Sequence, residues 1–179
     1  MRAKGPFKKI HGVWVSMATK SVAERSVIIA KREGGETEHP AGSNLQKYGK
    51  YWGEDGVPWC GLFVAYCWKE AGFEVSKRLA QQIDYVPRLV VLARQHEDGL
   101  FIVGRNRVRR GDAVALNFDG NPESDHVELF DQWIDKKTGV FACIGGNTSH
   151  AGSQSNGGMV CEGQVRYIKN VVAFVRKGK

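Results

Sequence analysis

Apolar residues in the middle third of the chain recur on a helical period. Cys60, Val64, Cys67 and Ala71 are spaced by four, three and four residues, with Phe63 and Trp68 beside them. That stripe spans about 100° of a helix surface, the width that turns one face to a core. The spacing predicts a helix beginning at Cys60. Pro58 suits its first turn, where a missing N–H removes no bond, and Gly72 is its stop. A second helix is predicted from about Ser21 to Arg32, with Val22, Val27, Ile28 and Ala30 on its apolar side and Gly34-Gly35 ending it. A third runs from about Val86 to Glu97, with Pro87 in the first turn and Leu89, Val90, Leu92 and Ala93 inward. Residues 36–57 read as one long loop, of a length that is often functional.

From Gly111 the period changes to two. Strands are expected at Asp112–Phe118, His126–Trp133, Val140–Gly146, Met159–Tyr167 and Val171–Arg176, joined as a meander. Turn signals stand at Asp119-Gly120-Asn121-Pro122, near Lys137-Thr138-Gly139 and at Asn156-Gly157-Gly158. Helices first and antiparallel strands afterwards define an α+β domain with a C-terminal sheet of about five to six strands. Residues 1–18 read as a basic arm, in which Val13-Trp14-Val15 could pair as a short strand. Residues 19–179 read as one domain, with no repeat or linker.

Composition narrows the class. At 179 residues, 42% hydrophobic and 25% charged, the chain is globular and sized for one well-buried domain. Its formal charge of +7 points to an acidic partner, whether nucleic acid, anionic membrane or cell-wall polymer. Arg105, Arg107, Arg109 and Arg110 read as a solvated loop, with an anion-contacting rim as the alternative. No apolar run reaches the roughly 18 residues of a membrane span. The basic start (Arg2, Lys4, Lys8, Lys9) has no apolar region behind it, so no signal peptide is expected. The four cysteines show no CxxC spacing, which argues against a zinc ribbon. A bridge between Cys143 and Cys161, on neighbouring strands, is open; four reduced thiols are the default.

Candidate chemistry begins at Cys60. A cysteine in the first turn of a helix meets free N–H groups and the positive end of the dipole, which favour a thiolate. The competing reading is a small buried apolar residue. A nucleophile needs a base, and His126 opens a strand in Ser124-Asp125-His126-Val127-Glu128. Alternation sets His126 and Glu128 on one face and Val127 and Leu129 on the other. Taken alone, His126 would read as a surface or satisfied core histidine.

Four signatures in order now carry a resemblance: Gly56-Val57-Pro58-Trp59-Cys60 with Phe63-Val64, Gly111-Asp112-Ala113-Val114, Asp125-His126-Val127, and Gly146-Asn147-Thr148-Ser149. Together they resemble CHAP domains, the cysteine, histidine-dependent amidohydrolases/peptidases that share a papain-like core and cleave bacterial peptidoglycan. The resemblance spans roughly Ser21 to Arg176. It implies Cys60 as nucleophile and His126 as general base. Many members carry an acid two positions before the Asn of the Gly-Asn-Thr stretch, where this chain has Gly145. Asn147 is therefore the expected third catalytic group, with Glu128 or Asp125 as substitutes. As a plain turn residue, Asn147 would need no such role.

The oxyanion would meet the Cys60 N–H and one further donor, for which Tyr48, Tyr51 and Trp59 are near in sequence. Trp59, Tyr51 and Glu128 are the expected substrate contacts. Glu54 and Asp55 are adjacent rather than alternating, so no calcium site is expected, and the chemistry calls for no metal or cofactor. The implied activity is peptidoglycan hydrolysis by a monomer, at the muramoyl–alanine amide or at a stem or cross-bridge peptide bond. Without a signal peptide, the chain resembles a phage endolysin, made in the host cytoplasm and acting on the wall. A delivered effector or tail lysin of the same fold, or a catalytically silent wall-binding or nucleic-acid-binding module, are the alternatives.

Overall fold

Ser21 starts the first helix with a reciprocal cap: its Oγ accepts from the Glu24 N–H at 3.2 Å, and Glu24 Oε2 accepts from the Ser21 N–H at 2.9 Å. Helix α1 (Val22–Arg32) buries Ser26 to Ala30 against α3 (Cys60–Ala71). The computed structural model describes residues 7–10, 13–16, 20–120, 123–151 and 153–178. Within the N-terminal arm, β1 (Phe7–Ile10) and β2 (Val13–Ser16) pair antiparallel, so Val13-Trp14-Val15 does form a strand. The other residues of the expected 1–18 arm lie outside the described residues.

Helix α3 is buried on nearly every side, not along one stripe. Cys60 to Ala65, Cys67, Trp68 and Ala71 are all buried. Its stop is Gly72 at φ 105°, a left-handed position that glycine takes without strain. Pro58 lies just outside the helix, because Trp59 is the N-cap. Around α3 stand two helices absent from the sequence expectations. The first, α2 (Lys47–Trp52), interrupts the expected 36–57 loop. Gln46 caps it through its side-chain oxygen, and the Trp52 indole donates to Leu62 C=O at 3.1 Å. The second, α4 (Lys77–Ile83), is capped by Ser76. Helix α5 (Val86–Arg94) follows, with Pro87 in its first turn as expected.

The sheet is antiparallel and six-stranded, in the order β3-β8-β4-β5-β6-β7. Its strands are β3 (Leu100–Val103), β4 (Ala113–Leu116), β5 (His126–Asp135), β6 (Val140–Thr148), β7 (Met159–Tyr167) and β8 (Val171–Lys177). Strands β4 to β7 form the expected meander. β8 departs from it, crossing back to lie between β3 and β4. β3 itself was not expected from the sequence. Val127, Leu129 and Ile144 pack into the core shared with α3, while Val114, Phe130, Phe141 and Phe174 form a second cluster on the sheet. The architecture is α+β, with helices in the N-terminal half and the sheet in the C-terminal half. Among the described residues no helix is long and apolar enough to cross a membrane.

Candidate active site

Two elements bring the central pair together. α3 begins at Cys60, and β5 begins at His126, where β5 and β6 pack on the helix. His126 and Cys60 are both buried there, and the thiol acts electrostatically on the imidazole. Its Nε2 lies 3.3 Å from Glu128 Oε1, and its Nδ1 is buried without a hydrogen-bond partner. Burial pushes the imidazole's pKa down. The Cys60 thiol and then Glu128 outweigh that and raise it to about 9.

Glu128 is itself fixed. Arg166 of β7 grips it with both arms, Nη2 to Oε1 at 2.6 Å and Nε to Oε2 at 2.8 Å. Burial alone would raise the Glu128 carboxyl. Arg166, and after it His126, hold it below the ordinary value. Arg166 also donates from Nη1 to Gln154 Oε1 at 2.7 Å, which ties the carboxylate to the β6–β7 loop. The result is a buried chain, Cys60–His126–Glu128–Arg166, in which each polar group orients the one before it.

Gly145 explains where the third group went. A Cβ at 145 would stand 2.7 Å from both Cγ and Oε1 of Glu128. The place of the expected acid on β6 is filled by a carboxylate reaching over from β5. The partner of His126 Nε2 is thus Glu128, one of the two substitutes, and not Asn147. Asn147 adopts φ 55° and closes the following loop: its C=O accepts from Gly157 N–H at 2.9 Å and its Oδ1 from Gly158 N–H at 3.4 Å. Asp125 is spent on the preceding turn, accepting from the N–H groups of Phe118 and Asp119.

The expected substrate contacts are not assembled around the thiol. Trp59 is fully buried, stacked on Tyr48, with its indole donating to Glu38 Oε1 at 2.8 Å. Tyr48 is equally buried and donates to Glu33. Tyr51 is exposed but contacts Tyr66 and Glu70, toward the far end of α3 from Cys60. Glu128 faces its protein partners. Among the expected oxyanion donors, this leaves the Cys60 backbone N–H. α3 has no side-chain N-cap, unlike α1, α2 and α4, so its first-turn N–H groups are not taken by a capping oxygen.

Three further thiols are present. Cys67, Cys143 and Cys161 are free and buried, and burial raises each thiol above its ordinary value. The open bridge between Cys143 and Cys161 is not formed. Asp55 accepts from the Gln46 and Gly56 N–H groups, so its carboxylate is already used by the backbone. Among the described residues no group of three or more His, Cys, Asp or Glu side chains could hold a metal ion.

Sequence reasoning missed Arg166. Alternation along β7 would have turned Val165 and Tyr167 inward. Instead they are exposed, and Gln164 and Arg166 are buried. An arginine between apolar residues on a strand was the one available signal. Comparison with family models, curated proteins and solved structures finds no match.

Proposed function

We propose that the protein is a cysteine amidohydrolase or endopeptidase of papain-like type that acts on bacterial peptidoglycan. The observation that carries the reading is the buried Cys60–His126 pair at the start of α3 and β5, with His126 backed by the Glu128–Arg166 pair. Cys60 Sγ attacks the amide carbonyl, and its proton passes to His126. The tetrahedral oxygen forms beside the first-turn N–H groups of α3. The imidazolium then protonates the leaving amine, and water, deprotonated by His126, releases the acyl group from sulfur. Glu128 stabilises the imidazolium and fixes its ring.

The choice of wall polymer rests on the resemblance in the four signatures and on the +7 charge, which suits an anionic wall. On this reading the setting is endolysin-like: synthesis in the host cytoplasm, action on the wall, and the muramoyl–alanine amide or a stem or cross-bridge bond as target. One observation favours a second reading, a catalytically silent wall-binding module. Cys60 is 2% exposed and His126 is 0% exposed, so the pair is covered in this conformation.

The test is incubation of the protein and its Cys60→Ala variant with isolated peptidoglycan, followed by mass spectrometry of the released fragments. Release by wild type alone supports the thiol mechanism, and the new amino termini name the bond. Binding without release from walls of several chemotypes supports the silent module. Equal release by both proteins would make Cys60 structural.

A further inference from the structure

A cavity of about 380 Å³ is lined in part by Glu38, whose carboxylate holds the indole of Trp59, the residue before Cys60. Thr37, Glu38, His39, Gly157, Gly158 and Met159 line it, and the Thr37–Met159 bridge fastens its loop to β7. Glu38 is 4% exposed. Its Oε1 accepts from the indole of Trp59, the N-cap of α3, at 2.8 Å. Its Oε2 is buried and has no hydrogen-bond partner. A carboxylate taken out of water with one N–H for company is strongly disfavoured unless a donor or cation completes it. Gly158 leaves room for one. A Cβ there would stand 3.3 Å from Glu38 Cδ, 3.4 Å from Oε2 and 3.5 Å from Oε1, so the missing side chain leaves that side of the carboxylate uncovered.

Given the reading of the protein as an amide hydrolase, we propose that this cavity is a subsite for a primary ammonium group of the peptide substrate, received by Glu38. The chemistry selects among cations. Calcium needs six to eight oxygen ligands, one carboxylate oxygen is on offer, and among the described residues no group of three or more His, Cys, Asp or Glu could hold another metal ion. A guanidinium binds best across both oxygens of a carboxylate, and Trp59 already holds Oε1. An ammonium needs one acceptor at short range, which Oε2 supplies. Trp59 joins Glu38 to Cys60, so an anchored amine would set which amide of the peptide lies over the thiol. The amine could be the α-amine of a peptide or the side-chain amine of a diamino acid; the recognising chemistry is the same.

The experiment follows the Trp59 indole N–H by NMR in the labelled full chain. Three probes are titrated: L-alaninamide with an α-amine, Nα-acetyl-L-lysinamide with a side-chain amine, and N-acetyl-L-alaninamide with none. The expected result is a saturable shift of the Trp59 indole signal with an amine probe. Binding should be about tenfold weaker or worse with the acetylated probe. The shift should be lost in Glu38→Gln, which keeps an acceptor for the indole. The amine that binds more tightly names the source. No saturable shift with either amine, an equal shift with the acetylated probe, or an unchanged response in Glu38→Gln would each overturn the proposal. The readout is binding. An indifferent indole beside Cys60-dependent wall cleavage would sink the subsite alone, and amine binding without cleavage would sink the hydrolase reading alone.

Discussion

At residue 145 the absence of a side chain is what the site requires. Glu128 fills the space that any Cβ there would claim, at 2.7 Å from its Cγ and Oε1. Gly145→Ala should therefore displace the carboxylate from His126 and overpack a buried pocket, a loss of about 1–3 kcal/mol. Thermal melts would show the destabilisation, and wall cleavage should fall by more than tenfold even where the variant is folded. Glu128→Gln isolates the electrostatic part. The imidazole's ordinary value is 6.5, and in the fold it stands at about 9, raised by Cys60 and Glu128 against burial. Activity that depends on the imidazolium should thus decline as pH rises through about 9, and Glu128→Gln should move that alkaline limb to lower pH. Stability carries the same sign. A raised histidine contributes fully below its ordinary 6.5 and loses its contribution as pH climbs through about 9. A depressed carboxylate contributes above its ordinary 4.5 and loses it as pH falls through its lowered value. The melting-temperature gap between wild type and Glu128→Gln should therefore be widest between 4.5 and 6.5. A gap that is flat with pH would leave the His126–Glu128 pair without weight. Cys60 and His126 were legible because each opens an element whose period names it. Glu128 was legible as a neighbour on the same strand face. Arg166 was not, because its strand alternates with polar Gln164 and Arg166 inward and Val165 and Tyr167 outward.

α2, β3 and the return of β8 were missed for a shared physical reason. α2 has six residues with Gly49 in its middle, too short for a period and held by the Gln46 cap and the Trp52 indole rather than by propensity. β3 is four residues long and gains its strand partner from β8, far along the chain, and β8's return between β3 and β4 is likewise a long-range choice. α4 is different, since Ser76 and the Leu79, Ala80, Ile83 spacing did announce it. The corner between α4 and α5 matters to the site. It presses so closely on α3 that a Cβ on Gly61 would stand 1.9 Å from Ile83 C=O, one residue from Cys60. Tyr85, at that corner, donates to Glu123 Oε2 at 2.8 Å, and Glu123 lies three residues before His126. The hydrogen bond therefore joins the α4–α5 corner to the segment that leads into β5. Breaking it with Tyr85→Phe leaves the exposed ring in place and should loosen the cover over Cys60. The expected outcome is a several-fold faster reaction of Cys60 with a small thiol reagent, at a melting temperature nearly unchanged, since exposed hydrogen bonds contribute little. An unaltered labelling rate would place the cover elsewhere.

Charge is a property of the whole molecule, and its effect depends on which cations are already engaged. Twenty-six lysines and arginines stand against nineteen acids. The arginine cluster before β4 does not form a free basic rim. Arg110 pairs with Asp131 at 2.7 Å, and Arg105 donates to Lys136 C=O while covering the Trp133 ring. Arg107 and Arg109 are its exposed members. Lys31 also pairs with Asp131, and Arg176 with Asp112, so part of the positive charge is spent holding the sheet and α1 together. What remains is a diffuse excess, which attracts an extended anionic polymer over distances set by screening. That range is about 10 Å at 0.1 M salt and about 3 Å at 1 M. The Cys60–His126–Glu128–Arg166 chain is buried and should be almost indifferent to the same change. Two substrates separate the effects. Cleavage of intact wall should slow markedly between low and high salt, while cleavage of a small uncharged fragment carrying the same bond should keep its rate. If both rates fall together, the charge acts inside the cleft and the surface excess has no part in holding the wall. If neither falls, recognition resides in short-range contacts around α3 and the β6–β7 loop, and substitutions there would change wall preference where surface lysines would not.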